Sequence, residues 1–203
     1  MADLVETPRG PARVHADDPD GPPRGLLVLG HGAGGGITAP DLVAVTATAV
    51  RLGLAVRRVE QPYRVAGRRS PAPAGQLDQA WQAVVAALVS GLPGVPLLVG
   101  GRSSGARVAC RTATAAGAVG VLCLAFPEHP PGRPDRTRLP ELDAVAVPVL
   151  VVQGDRDPFG LPPERPGRTV VVIAGADHAL RGDLAAVRAA VADWLRAVGV
   201  TEE

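Results

Sequence analysis

The chain has 203 residues, 46% of them hydrophobic, and a formal net charge of +1. This length can bury a substantial core and falls in the single-domain range, so we expect one domain over residues 1–203. The near-zero charge leaves no basic surface of the kind that binds nucleic acid or an anionic membrane, so we expect neither partner.

Short apolar segments alternate with helix-like segments along the chain. Aromatic residues make up only 2% of the sequence, so the core must be built from Val, Leu and Ala, which suits continuous buried parallel strands. The alternation predicts the α/β class, with a mostly parallel sheet covered by helices on both faces. A weak strand at residues 12–16 is expected at one edge, antiparallel to its neighbour. The main strands are expected at residues 26–29, 55–59, 95–99, 119–124, 147–152 and 169–173.

Two helices are predicted from apolar residues that recur at helical spacing. The first begins near Gln76 and carries an apolar stripe that includes Trp81. The second is capped by Asp183 and followed by Gly199, residue types that favour helix starts and stops respectively.

A glycine-rich run after the first main strand has two competing interpretations. Residues 30–35 fit the G-x-G-x-x-G dinucleotide fingerprint, with Glu60 as the acid that would hold a ribose. Alternatively, residues 31–34 form an oxyanion loop, in which the backbone N–H of Ala33 or Gly34 stabilises a developing alkoxide. The second interpretation is favoured, because Glu60 lies further downstream than the usual twenty or so residues and the first leaves the motifs described next unexplained.

The segment at residues 100–105, GGRSSG, lies between a predicted strand and a helix-like segment. Its G-x-S-x-G pattern, centred on Ser103, is typical of a nucleophile elbow, a sharp turn that holds the serine hydroxyl above the edge of the sheet. The pattern alone is weak in a glycine-rich chain, and the strand before it and helix after it carry the prediction. Ser103 is then the nucleophile, and the backbone N–H of Ser104 is an oxyanion donor.

A serine hydroxyl needs an imidazole to take its proton and an acid to orient that imidazole. Asp155 and Asp157 follow one predicted strand, and His178 follows the next. The order Ser, Asp, His is the chain order of α/β-hydrolases and differs from that of the two other familiar serine-protease arrangements. Either carboxylate could serve as the acid on spacing alone.

Three further side chains are candidates for contact with a substrate: His31, Arg102 and His129. Arg102, beside the nucleophile, could bind an anionic substrate, although pairing with a local carboxylate is the more common role. His129 lies in a proline-rich loop at the carboxyl edge of the sheet, where it either lines the substrate site or serves the structure of the loop.

Together these motifs resemble the small α/β-hydrolases of the dienelactone-hydrolase-like group, which lack a large lid. The resemblance covers nearly the whole chain and assigns Ser103 as nucleophile, Asp157 as acid and His178 as base. It implies cleavage of an ester, thioester or related acyl bond of a small substrate through an acyl-enzyme, with no metal or organic cofactor. The segments that carry it are residues 31–35, 60–63 with 66–69, 101–105, 129–132, 153–160 and 175–178.

A proline-rich segment at residues 127–140 occupies the position where larger α/β-hydrolases insert a lid domain. Only about twenty residues separate Pro127 from Val147, too few for a separate cap. We therefore expect an open site that accepts small or extended substrates. The rival interpretations are a catalytically silent binding or scaffolding module of the same fold and a nucleotide-binding oxidoreductase.

Several features predict a cytoplasmic protein. No apolar run reaches transmembrane length, and the first ten residues lack the basic and apolar regions of a signal peptide. Cys110 and Cys123 fall on a predicted helix and a predicted strand that both look buried, and we expect them to be free thiols in a reducing compartment.

Overall fold

A computed structural model describes residues 2–201. Its strands are β1 Ala2–Val5, β2 Ala12–Asp17, β3 Gly25–Gly30, β4 Leu54–Glu60, β5 Leu97–Arg102, β6 Gly120–Leu124, β7 Val149–Gly154 and β8 Arg168–Ile173. They form one eight-stranded sheet of order β1-β2-β4-β3-β5-β6-β7-β8, in which β2 pairs antiparallel with both β1 and β4 and all other neighbours pair parallel. The helices are α1 Pro40–Arg51, α2 Pro62–Val65, α3 Ala74–Gly91, α4 Ser104–Ala116, α5 Leu139–Asp143 and α6 Leu184–Ala197.

Helices cover both faces of the sheet, which confirms the predicted class. One core cluster joins α3, α4 and α5 to the sheet, and the other joins α1 and α6 to the opposite face. Strand β3 is buried along its whole length, with Leu26 and Val28 in the first cluster and Leu27 and Leu29 in the second. Because each such side chain contributes about 1.5–3 kcal/mol when buried, aliphatic strands with both faces covered can stabilise the fold with few aromatics.

The six main strands lie where the sequence predicts them, with ends that differ by at most three residues. One prediction was wrong: β2 is not the edge strand, because β1 pairs outside it through the register Ala2 to His15 and Val5 to Ala12. The final helix agrees closely, since the Asp183 side chain accepts the backbone N–H of Ala186 and caps α6.

Cys110 on α4 and Cys123 on β6 are both buried and free, with their Sγ atoms 3.5 Å apart. Within residues 2–201, no helix is long and apolar enough to cross a bilayer.

The topology brings several loops to one place. Strand β3 lies at the centre of the sheet, with β4 on one side and β5 on the other. The chain therefore leaves the carboxyl ends of β3 and β5 in opposite directions, and ligands of open α/β sheets bind in the crevice at such a reversal. The carboxyl ends of the parallel strands β5, β7 and β8 meet at this same edge, so the loops that carry the candidate side chains converge there.

Candidate active site

The turn between β5 and α4 holds Ser103 in a strained backbone conformation. Its φ is 52° and its ψ is −109°, a region that residues other than glycine rarely adopt. Such strain costs about 1–3 kcal/mol and persists only where the surroundings impose it. Here the Ser103 backbone N–H donates to the Leu124 carbonyl at 2.9 Å, which ties the turn to the end of β6.

Two glycines allow the turn to close against the end of β3. A Cβ at Gly101 would collide with the carbonyl oxygen of Gly30 and would lie 2.9 Å from its backbone nitrogen. A Cβ at Gly105 would likewise lie closer than 3.0 Å to the carbonyl group of Gly30. Both glycine positions of the G-x-S-x-G pattern are therefore required by backbone-to-backbone contact, which is the geometry expected of a nucleophile elbow.

Ser103, His178 and Asp157 form one continuous chain of contacts. The imidazole Nε2 of His178 lies 3.0 Å from Ser103 Oγ, and its Nδ1 lies 2.8 Å from Asp157 Oδ2. An acceptor carboxylate fixes the tautomer with the proton on Nδ1, which leaves Nε2 to accept the serine proton. The structure thus brings together the three side chains that the sequence proposed as nucleophile, base and acid.

The Asp157 carboxylate is fully buried and held from three sides. Its Oδ2 accepts a second hydrogen bond from Gln153 Nε2 at 2.8 Å, and its Oδ1 accepts the Phe159 backbone N–H at 2.9 Å. The Phe159 ring also packs on the His178 imidazole, with ring centroids 4.2 Å apart. Asp155 is exposed, and its backbone N–H donates to Ile173. Only Asp157 of the two candidates touches the imidazole.

The His31 side chain holds the glycine-rich loop after β3 in place through hydrogen bonds. This side chain is 3% exposed; its Nδ1 donates to the Gly32 carbonyl at 2.8 Å, and its Nε2 accepts the Gln61 backbone N–H at 3.1 Å. Burial lowers the pKa of His31, in keeping with a neutral ring that has one donor and one acceptor nitrogen. The expectation that His31 contacts substrate does not hold, because both ring nitrogens are bonded to backbone; it positions the loop instead.

The residues that the sequence proposes as backbone oxyanion donors, Ala33 or Gly34 and Ser104, line the same cavity as Ser103. Ser104 begins α4, where the first N–H groups have no intrahelical acceptor and the helix dipole favours negative charge. The Tyr63 hydroxyl holds the glycine-rich loop after β3 in place, because it donates a hydrogen bond to the Ala33 carbonyl at 3.1 Å. Among residues 2–201, no protein acceptor takes the N–H of Ala33 or of Gly34, so both remain candidates for the second donor.

Arg102 pairs with a carboxylate. Its Nε lies 2.9 Å from Asp41 Oδ2, and its Nη2 donates to the backbone carbonyl of His178 at 2.7 Å. Asp41 is fully buried at the start of α1, where its Oδ1 accepts the Leu42 N–H at 2.9 Å. Burial raises the pKa of Asp41, and the neighbouring Arg102 guanidinium opposes that shift.

His129 does not line the cavity beside Ser103. Its Nδ1 bonds to the Pro130 carbonyl at 2.9 Å, and its backbone N–H donates to Phe159 at 3.0 Å. The expected substrate contact is therefore replaced by the loop role that the sequence left open. Glu60, the candidate ribose-binding acid, lies 2.6 Å from Arg13 Nη1 in an ion pair between neighbouring strands, and that pairing accounts for it.

The cavity above Ser103 has a volume of about 710 Å³. Its wall includes Ala33, Ser104 and His178, and the segment above it, between β6 and β7, contains only the five-residue helix α5. Sequence reasoning missed three residues of this site: Asp41, Gln153 and Phe159. Gln153 and Phe159 lie in the same short segment as Asp157, so proximity could have suggested them, whereas no local pattern marks Asp41.

Comparisons with known proteins identify one family model and several solved structures that are similar to this chain. A family model described as "Alpha/beta hydrolase domain" matches residues 23–192. A comparison with curated proteins gives no significant match. The structure is similar to an α/β serine hydrolase without lid from Xanthomonas campestris, with a TM-score of 0.82 and 22% identity over 97% of this chain and 94% of that chain.

Two other solved structures share the architecture. Est1E from Butyrivibrio proteoclasticus has a TM-score of 0.78 and 16% identity, with 97% of this chain and 98% of that chain covered. A dienelactone hydrolase from Anabaena variabilis has a TM-score of 0.76 and 18% identity, with 97% and 96% covered. At these identities the similarity is one of fold.

Proposed function

Because the chain belongs to the α/β-hydrolase family, we propose that it is a serine hydrolase that cleaves an ester, thioester or related acyl bond through an acyl-enzyme. The observation that carries this proposal is the contact chain from Ser103 Oγ through His178 to the buried Asp157. A buried carboxylate is costly unless it is paired or hydrogen-bonded, and here every contact it makes fixes the imidazole or its own loop.

The reaction follows from the positions of these atoms. Ser103 Oγ attacks the acyl carbon while its proton passes to Nε2 of His178, which makes an imidazolium whose Nδ1–H faces Asp157. The carbonyl oxygen becomes an alkoxide, which accepts hydrogen bonds from the N–H of Ser104 and from that of Ala33 or Gly34. His178 then returns the proton to the departing alcohol or thiol, leaving an acyl group on Ser103.

Water completes the cycle by the same route. His178 removes a proton from the water as it attacks the acyl-enzyme, and the proton is returned to Ser103 Oγ when the carboxylic acid leaves. The oxyanion donors act in both halves, and removal of one such donor typically costs about 10²–10³ in turnover. Each of these steps uses groups that the chain itself supplies.

The cavity supports a small or short acyl substrate. No separate lid domain is present within the described residues to enclose a long acyl chain, since α5 is the only helix between β6 and β7. We accordingly place the substrate among small-molecule esters or thioesters. The silent-module and oxidoreductase alternatives gain no specific support from the geometry.

A panel of p-nitrophenyl esters of graded chain length tests the proposal, with the Ser103→Ala variant as the blank. We expect hydrolysis by the parent protein and turnover at least about 10⁴-fold lower in the variant. Adding methanol tests for the acyl-enzyme, because phenyl acetate and p-nitrophenyl acetate must give the same ratio of methyl acetate to acetic acid if both pass through one intermediate. Failure of every ester to exceed the Ser103→Ala blank would contradict the proposal.

A further inference from the structure

The loop that carries His178 is supported by the sheet on one side only. Within residues 2–201, β8, which leads into it, is the last strand of the sheet, and β7 is its one neighbouring strand. The imidazole must nevertheless stay within 3.0 Å of Ser103, which belongs to the turn after β5, with β6 and β7 in between. Contacts outside the strand ladder must therefore fix the backbone of the His178 loop.

Arg102 supplies such a contact from the strand of the nucleophile. Its Nη2 donates to the His178 carbonyl at 2.7 Å, so the guanidinium bridges from the end of β5 to the edge loop. A Cβ at Gly32 would lie 3.0 Å from Arg102 Nη1, which shows that the same guanidinium also packs against the oxyanion loop. One planar group thus contacts both the His178 loop and the oxyanion loop, and both loops must be correctly positioned relative to Ser103.

Asp41 fixes the guanidinium from the other side. Its carboxylate has no exposed surface, while the Arg102 side chain is 16% exposed, and Nε and Oδ2 are 2.9 Å apart. The carboxylate is itself oriented by the Leu42 N–H at the start of α1. The contact between Asp41 and Arg102 is an ion pair, and together with the hydrogen bond from Nη2 to His178 it restricts the orientation of the guanidinium, because the group is planar and rigid.

We propose that Arg102, held by Asp41, is a positioning residue that keeps the backbone of His178 in place for proton transfer. The inference rests on the proposed function, since it assigns a role within that same reaction. It also replaces the expectation that Arg102 binds an anionic substrate. Misplacing a reacting group by about 1 Å can cost on the order of 10²-fold in rate, so loss of this contact is expected to act on kcat.

The test compares Arg102→Met with Arg111→Met. Arg111 is a matched control, because it also forms partly buried ion pairs, with Asp78 and Glu141, but contacts nothing in the cavity. We expect Arg102→Met to lower kcat for p-nitrophenyl acetate about 10²-fold per folded molecule, with KM changed by less than about threefold. Arg102→Lys should recover part of the loss. Arg111→Met should lower only the melting temperature.

A second readout does not depend on turnover. The Nδ1–H of His178 donates to Asp157 and should give a low-field proton NMR signal in the parent protein, which Arg102→Met should shift or broaden and Arg111→Met should leave unchanged. If the parent protein fails to hydrolyse esters, the proposed function fails, yet the NMR comparison still tests the positioning role.

Specific outcomes would overturn the inference. An Arg102→Met protein whose kcat and His178 signal match the parent shows that the pair is only structural, and a rise in KM at constant kcat assigns Arg102 to substrate binding instead. If Arg102→Met does not fold, the double variant Asp41→Asn/Arg102→Met, which leaves no unpaired buried carboxylate, is judged by the same criteria.

Discussion

The contact between α4 and β3 predicts a large effect for Gly105→Ala. Gly105 and Gly30 are both buried, and an added Cβ would lie closer than 3.0 Å to the Gly30 carbonyl group and 3.0 Å from its Cα. Carbon atoms in contact prefer about 3.5–4.0 Å, so helix and strand would have to separate by at least roughly 0.5 Å. Both partners of this contact are parts of the backbone, so no side chain can rotate away to relieve it.

The expected cost follows from this geometry. Overpacking a dense core typically costs about 1–3 kcal/mol, and we expect the upper end because only backbone can yield. For a domain of this size, about 1 kcal/mol shifts the melting temperature by roughly 2–4 °C, so Gly105→Ala should melt about 6–12 °C below the parent. The shift of α4 would also displace the N–H of Ser104, and we expect at least a tenfold loss of esterase activity per folded molecule.

Thermal melts with Gly75→Ala as the control check this prediction. Gly75 lies in α3, and a Cβ added there meets nothing within 4 Å. That variant should melt at or above the parent temperature, because alanine restricts the unfolded chain at a position where it fits. A Gly105→Ala protein that melts within about 2 °C of the parent would refute the close approach of helix and strand.

Three further predictions concern the acid, the substrate and the oxyanion loop. Asp157→Asn should lose about 10⁴ in turnover, as in a serine-protease triad, and about 1–3 kcal/mol of stability, because its amide N–H₂ would face another donor. The turnover of Asp155→Asn should stay within about tenfold of the parent. Parallel esterase assays and thermal melts of the two variants check this, and the reverse ranking would assign the acid to Asp155. Esters with acetate to butyrate chains should be hydrolysed faster than palmitate esters, and a lipid interface should not activate hydrolysis. A preference for long acyl chains would contradict the open site. Burial lowers the pKa of His31, so the neutral side chain contributes stability that is present above about pH 6.5 and is lost as the pH falls below that value. The free energy of unfolding then falls by at most about 1.4 kcal/mol per pH unit. His31→Gln should therefore flatten the pH dependence of unfolding in urea between pH 7.5 and 5, and parallel curves for the two proteins would rule this out.

Local patterns were enough to predict the main strands and to propose the catalytic side chains. Strand β3 is a run of apolar residues buried on both faces, so its sequence needs no alternation and is visible at once. Ser103 directly follows β5, Asp157 and His178 lie within a few residues of the ends of β7 and β8, and parallel strands bring their carboxyl ends to one edge. The sequence order and the topology together place these side chains near one another before any coordinates are considered.

Long-range pairings could not be predicted in the same way. The ion pair of Asp41 with Arg102 joins the start of α1 to the end of β5, and nothing in either local sequence identifies the partner. His31 and His129 lie on loops, as the sequence indicates, but the Nδ1 atom of each ring bonds to the carbonyl of the following residue, and no sequence pattern marks that direction. Strand β1 was not predicted because Ala2–Val5 has only four residues, too few to show the alternation of a half-buried strand.

Covalent labelling with a fluorophosphonate, followed by intact mass measurement, tests the central claim most directly. We predict one adduct per chain on the parent protein and on Ser90→Ala, whose exposed serine only donates to a carbonyl of its own helix. Ser103→Ala should carry no adduct while melting at the parent temperature. Undiminished labelling of Ser103→Ala would show that another residue is the nucleophile and would contradict the assignment.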